Sequence, residues 1–253
     1  MKFIKPIWPA PYQVHSLVST RLGGVSKIPY DSLNLGDHVG DSLELVAHNR
    51  DLLRRHLPSD PIWLNQVHST LVSTPDQRIN MTGQPIVADA IISVTPNEVL
   101  TIMTADCLPV LFTANDGSII GAAHAGWKGL CAGILENTVS EMLASRSHLK
   151  SSDLLAYMGP AIGPKAYEVG EDVYSAFQSS SISIKKGDFQ AIPNKKGKYL
   201  ADLYSIATNR LLAIGLKQVA GGQMCTFSDS EHFYSYRRNG VTGRFASMIW
   251  IAK

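Results

Sequence analysis

The chain has 253 residues, 45% hydrophobic and 17% charged, with 23 Lys and Arg against 21 Asp and Glu, a net charge of +2. A chain of this length buries roughly 70–75% of its unfolded surface, so it needs no staples to hold a core, and its apolar content argues against disorder. The near-zero charge gives no footprint for nucleic acid, no stretch approaches the roughly 20 apolar residues of a membrane span, and the proline-broken start MKFIKPIWPAPYQVH has no signal-length apolar run.

In chain order, residues 12–20 read as a strand and 21–40 as a long loop rich in turn residues. Asp41, with Glu44 three residues on, has the pattern of a capping box, followed by a helix to about His56 that Pro58 ends. Residues 62–68, 70–73, 86–94 and 98–104 read as strands. PVLFTA and SIIGAAH around Asn115-Asp116-Gly117 predict a hairpin. Apolar residues at 130, 134, 135, 139, 142 and 143 predict one helix from Trp127 to about Arg146. A buried strand at 154–160, a short helix from Glu171 to Phe177, strand plus loop over 180–199, a helix from Asp202 to Gly215 and a mostly stranded tail complete the reading. Strands and helices alternate without a regular βαβ cadence, which predicts an α+β fold with a mixed sheet in a single domain over 1–253. Neither a dinucleotide-binding nor a P-loop glycine pattern is present.

Three segments set polar, reactive groups at the ends of apolar strands: Gln66-Val67-His68, Thr104-Ala105-Asp106-Cys107 and His124-Ala125-Gly126-Trp127. His68, Cys107 and His124 offer one soft thiolate and two imidazoles, a set suited to zinc, with copper as competitor. Spacings of 39 and 17 residues exclude a finger or knuckle, whose ligands come in short pairs. Three ligands would leave a fourth position for water or substrate. Cys107 as a nucleophile with His124 as its base explains the same residues equally well, since the hairpin brackets them. Three cysteines make no disulfide framework, which fits a cytoplasmic protein with reduced thiols; Cys131 and Cys225 read as core. The helix start after His124 suits an anion. Arg50, late in the first helix, has the bland reading of facing solvent or pairing at the helix end, and Arg237, Arg238 and Arg244 crowd the tail beside Tyr234 and Tyr236, a group suited to a phosphate or carboxylate or to pairing with acidic neighbours.

Taken together, the motifs resemble one family. They run from Ser19-Thr20-Arg21-x-Gly23-Gly24 through Ser32-Leu33-Asn34-Leu35-Gly36-x-His38-Val39-Gly40-Asp41, Asn49-Arg50, Gln66-Val67-His68 and Ala88-Asp89-Ala90. They continue through Thr104-Ala105-Asp106-Cys107-Leu108-Pro109-Val110, His124-Ala125-Gly126-Trp127, Gly159-Pro160-Ala161-Ile162-Gly163, Glu168-Val169-Gly170 and Asp202-Leu203 to Ser235-Tyr236-Arg237-Arg238 and Thr242-Gly243-Arg244. The chain resembles the YfiH-like family of laccase-domain or polyphenol oxidase-like proteins, now described as purine nucleoside phosphorylases. The resemblance implies a sandwich-like β core flanked by helices, similar to Cys–His hydrolases, and a zinc site (copper as alternative) at His68, Cys107 and His124. It implies phosphorolysis of purine nucleosides, with adenosine deaminase and methylthioadenosine phosphorylase activities; phenol oxidation by copper and editing of a peptidoglycan precursor by Cys107 and His124 are the rivals. On this reading Cys107, His124 and Arg50 are catalytic, Arg50 holding the anion, while Asn34, Arg50 and Gln66 contact nucleoside and phosphate. One departure is visible: Lys128 stands where the family usually has arginine, keeping the charge without the bidentate fork.

Overall fold

The computed structural model describes residues 1–79, 85–180 and 184–253. The apolar runs form two stacked sheets. The first has the order Phe3–Ile4, Val14–Ser19, Phe245–Ile251, Val99–Thr104, Pro61–Ile62. The second runs Gln218–Gly221, Leu154–Met158, Leu108–Ala114, Ile120–Ala125, Ala90–Ser93, Val72–Ser73. Pairing is antiparallel at the centre of both, and parallel at Pro61–Ile62, Gln218–Gly221 and Val72–Ser73 on the edges, so both are mixed.

Alternation along the central strands builds the layers. Leu100, Ile102 and Ile249 of the first sheet meet Leu111, Ile120 and Tyr157 of the second between the sheets. Their neighbours Val110 and Phe112 face the other way, onto Ile134, Leu135 and Met142 of the Ile134–Ser145 helix and Ile206 and Leu211 of the Leu203–Ala213 helix. Leu17, Met103 and Met248 likewise turn outward onto Leu53 of the Leu43–Arg54 helix. The result is helix, sheet, sheet, helix: the α+β fold that the order of elements predicts, with the sandwich-like core that the family resemblance implies. Each central strand is covered on both faces, which is why it reads as an unbroken apolar run rather than an alternating one.

The predicted hairpin is present, with Gly117 at φ 71 in its turn and Ala125 opposite Leu108 at its far end. Several predicted elements differ. The capping box before the first helix is absent: Ser42 is the N-cap and makes no side-chain cap bond. The Asp41 carboxylate is taken by Ser26 Oγ, Asn34 Nδ2 and the Ser42 N–H. Residues 62–68 give two short strands, Pro61–Ile62 and Leu64–Asn65, that pair in different sheets. The tail is stranded only at Gln218–Gly221 and Phe245–Ile251; between them lie irregular chain and the short Tyr236–Asn239 helix. Cys131 is half-buried and packs against the core, whereas Cys225 is half-buried and belongs to no core cluster among the described residues. Of the 180–199 reading, residues 181–183 lie outside the described residues, and the strands Phe189–Ala191 and Lys198–Ala201 follow.

The helix predicted from Trp127 to Arg146 is two helices, Trp127–Ala132 and Ile134–Ser145, hinged at Gly133. Gly133 has φ 102 and ψ 29, and its N–H closes on Gly129 O, ending the first helix in a left-handed turn. Periodicity alone runs through such a break because the two helices present their apolar residues to the same sheet. A Cβ at Gly133 would make an ordinary contact with Glu136 Oε2 at 3.6 Å, but on a backbone that L side chains rarely adopt. Gly133→Ala is expected to cost about 1–2 kcal/mol, read as a lower urea midpoint with an unchanged slope.

Candidate metal centre

The site forms where the chain passes from one sheet to the other. The Val99–Thr104 strand belongs to the first sheet and the Leu108–Ala114 strand to the second; residues 105–107 are the corner between them. The partner strand Ile120–Ala125 brings His124 opposite Pro109, so the hairpin delivers His124 beside Cys107 as its register requires. Asp106 holds the corner. Its φ of 96 is costly for a residue with a Cβ, and its buried carboxylate accepts from Thr226 Oγ1 (2.6 Å), Ser235 Oγ (3.0 Å) and the Arg237 N–H (2.6 Å).

His68 arrives from a loop, also at a positive φ of 60. What fixes it is Asp89, a carboxylate with no exposure. Asp89 accepts from the backbone N–H groups of Val67, His68 and Ser69, from Ser69 Oγ, and from Nδ1 of His124 at 2.8 Å. One side chain therefore orients both histidines. With Nδ1 of His124 donating to Asp89, Nε2 is left to face the cluster, the arrangement by which ligand histidines are held to metals.

The donor atoms of His68, Cys107 and His124 lie within 4.8 Å of one another. Cys107 Sγ is 3.9 Å from His68 Nε2, and the two rings meet edge to face at 4.7 Å. Tetrahedral zinc with Zn–N and Zn–S bonds of about 2.0–2.3 Å sets its donors roughly 3.5 Å apart, so a small contraction would seat an ion. Gly126 makes the closeness possible: a Cβ there would stand 2.8 Å from His68 Cδ2 and 3.1 Å from Cys107 Sγ. The electrostatics also suit a cation. Burial opposes ionisation of Cys107, but the charge and hydrogen bonds of His124, with help from His68, override it and bring the thiol to about 6. Burial likewise opposes charge on His124, yet Cys107 and Asp89 raise it to about 9. Asp89 is pulled down to about 2, its burial outweighed by His124 and Ser69. Both shifts favour the thiolate and imidazolium forms of the pair.

The cluster opens onto a cavity of about 450 Å³. Gln66, Met103, Thr104, Trp127, Ile162 and Tyr167 line its walls, and His38, Tyr236, Arg237 and Arg244 also border it. Thr104 Oγ1 is buried there with no hydrogen-bond partner. Gln66 borders the cavity as predicted, though its amide is paired with both backbone groups of Met103. Asn34 and Arg50 do not border it. Asn34 is fully buried and its amide is spent: Oδ1 accepts from the N–H groups of Gly36 and Arg244, and Nδ2 donates to Gly36 O and Asp41 Oδ2. Arg50 pairs with Asp37 at 3.1 Å, donates to Leu35 O and stacks over Trp63 at 4.2 Å, so its charge is neutralised away from the cavity. The helix after His124 has only six residues. Of the arginines that crowd the tail, Arg237 and Arg244 border the cavity and Arg238 does not. Asp89, Asp106 and Thr104 lie within the family motifs, but nothing in their spacing marks them apart from their neighbours.

Residues 15–252 match the family described as multi-copper polyphenol oxidoreductase laccase. The chain belongs to this family. It is 48% identical over 252 residues to a Haemophilus influenzae protein named purine nucleoside phosphorylase, covering 99% of each chain. It is 47% identical over 260 residues to the Escherichia coli purine nucleoside phosphorylase YfiH, again covering 99% of each. A crystal structure of a Neisseria meningitidis protein superposes with a TM-score of 0.91 at 43% identity, covering 100% of both chains. Bacillus licheniformis YfiH gives 0.87 at 30%, over 94% of this chain and 93% of that one. The laccase-domain family is thus shown by sequence and by fold. The lysine that departs from its usual pattern, Lys128, is exposed 5.8 Å from the Trp127 ring and does not border the cavity.

Asp89→Asn replaces an acceptor facing four protein N–H groups with one amide that must itself donate. Zinc affinity is expected to fall about 10–100-fold, measured by competition against a chromophoric chelator.

Proposed function

We propose that this chain is a metal-dependent purine nucleoside phosphorylase whose metal, zinc in preference to copper, is held by His68, Cys107 and His124, with residues 1–253 forming one catalytic domain. The observation that carries the reading is the convergence of these three donors at a cavity of 450 Å³, in a chain whose relatives bear that activity in their names. Small-molecule sites span about 300–1,000 Å³, and a nucleoside belongs at the low end of that range. The fit of the metal rests on the donor chemistry: one thiolate, two imidazoles, and a carboxylate behind one of them.

A bound metal would supply Lewis acidity and fixed positive charge at the cluster. The protein does the rest by placement. The base lies between the apolar faces of Trp127, Ile162 and Tyr167, with the unpartnered Thr104 hydroxyl and Gln66 on the wall beside it. A phosphate oxygen forms its bond to the anomeric carbon as the bond from that carbon to the purine nitrogen breaks. The electron pair leaves with the purine, which takes up one proton, and the sugar departs as its 1-phosphate. Deamination of adenosine and phosphorolysis of methylthioadenosine use the same substrate frame and belong to the proposal. Its setting is the cytoplasm, with purine nucleosides and phosphate as its small-molecule partners.

One observation favours a second reading. The thiolate and imidazolium of Cys107 and His124 are the pair a cysteine hydrolase uses, as editing of a peptidoglycan precursor would require. Oxidation of phenols by copper has less support: among the described residues there is a single three-donor group, short of a multicopper centre.

The deciding experiment incubates zinc-loaded protein with inosine, with and without phosphate. Hypoxanthine release that requires phosphate is expected, and its absence from fully loaded protein overturns the proposal. Cys107→Ser is expected to lose both metal and activity. Full zinc occupancy with no activity in that variant supports the nucleophile reading, and activity that appears only with copper supports the oxidase.

A further inference from the structure

The arginines of this chain divide into those that are answered and those that are not. Arg21, Arg50, Arg54, Arg78 and Arg210 each pair with a carboxylate. Arg238 gives its guanidinium to the carbonyls of Thr226, Phe227 and Phe233 and to the side chain of Asn239. The two arginines that border the metal-cluster cavity, Arg237 and Arg244, have no ion-pair partner among the described residues.

Arg244 is built into place. Its N–H donates to Asn34 Oδ1 at 2.8 Å, and its carbonyl accepts from the Leu35 N–H at 3.0 Å. The aliphatic stem lies on Gly36, where a Cβ would come within 2.8 Å of Arg244 Cγ. Nη1 donates to the carbonyls of Thr242 and Gly243, which fixes one edge of the guanidinium. Nε and Nη2 have no partner among the described residues, and burial weakens the hold on the proton. Arg237 adds a second charge, anchored by Nη1 on Glu168 O and by its stacking over Tyr167 at 5.3 Å. The nearby carboxylate of Asp106 is already consumed by three donors. Cys107 and Asp106 act on Arg244 only at a distance, against its burial, and neither forms an ion pair with it. A half-buried guanidinium with a free edge and no ion-pair partner is satisfied when an oxyanion accepts from that edge.

Arg244 also borders a second cavity of about 500 Å³, which shares His38 and Tyr236 with the first. It thus stands where the two spaces adjoin. We propose that Arg244, seconded by Arg237, is the phosphate subsite of this cavity, and that Asn34 is the positioning residue that sets Arg244. The site is assigned to free inorganic phosphate; a nucleoside monophosphate carries the same dianion and is the alternative source. In its kinetic arm the proposal rests on the phosphorylase reading, but phosphate binding can be measured without it.

Arg244→Gln is expected to raise the KM for phosphate about 10–100-fold, to leave the KM for inosine within twofold, and to keep full zinc content. Arg244→Lys restores charge without the fork and is expected to recover part of the loss. Titration of zinc-loaded wild type with inorganic phosphate, followed by calorimetry, is expected to show binding that Arg244→Gln weakens by the same factor. An unchanged phosphate KM and affinity in Arg244→Gln overturns the assignment even if phosphorolysis is real. Phosphate binding that depends on Arg244 in a protein without phosphorolysis sustains the subsite and removes the phosphorylase reading. Binding of inosine monophosphate with none of inorganic phosphate overturns the assignment to the free anion. If Arg244→Gln does not fold, the exposed Arg237→Gln carries the same test, with a rise of about threefold or more.

Discussion

A single buried carboxylate organises the centre of this protein. Asp89 carries its charge into the interior, which is unfavourable unless the charge is fully met. It is met by five donors from two separate parts of the chain, the 67–69 loop and the Ile120–Ala125 strand. The backbone of Asp89 takes part as well, its carbonyl accepting from the His124 N–H at 2.7 Å. The loop carrying His68 cannot move independently of the strand carrying His124 while these bonds stand. The third donor, Cys107, is fixed by a parallel device on the other side, where Asp106 ties the corner between the sheets to residues 226, 235 and 237. Two acidic side chains, both adjacent to apolar strands, thus make a sandwich of sheets present a converging set of donor atoms.

Much of this was legible in the sequence. The hairpin around Asn115-Asp116-Gly117 is written in local turn chemistry, and its register brings Cys107 and His124 together without any long-range knowledge. His68, Cys107 and His124 stand out as polar, reactive residues at the ends of apolar strands, but a thiolate and two imidazoles fit a nucleophile pair as well as a metal, and only the family resemblance favours the metal. The irregular order of strands and helices gives the α+β class and the mixed sheet, whereas the sandwich of two sheets comes only from the family resemblance. The helix break at Gly133 was not legible, because both halves keep their apolar residues on the same sheet and the periodicity barely changes phase. The tail was misread because residues 222–244 alternate in polarity while being held by side-chain bonds to carbonyls and carboxylates rather than by strand pairing.

The roles of single polar residues were the least legible. Asp41 has the spacing of a helix cap, yet its carboxylate is claimed by Ser26 Oγ and Asn34 Nδ2 from other segments and by the adjacent Ser42 N–H. Arg50 sits in a motif and carries a charge, but Asp37 lies within reach and neutralises it. Such outcomes depend on which of several possible partners the fold brings near, and spacing holds no information on that. Arg244 shows the converse: its importance comes from the partner it lacks.

Asn34 has a consequence for how this protein is studied. It belongs to the scaffold, saturated by four hydrogen bonds and sealed from the cavity, yet it holds the backbone of an arginine that borders it. A mutational survey scored by turnover would rank Asn34 beside the residues that touch ligand, and a map drawn from such scores would place the active-site boundary one layer too deep.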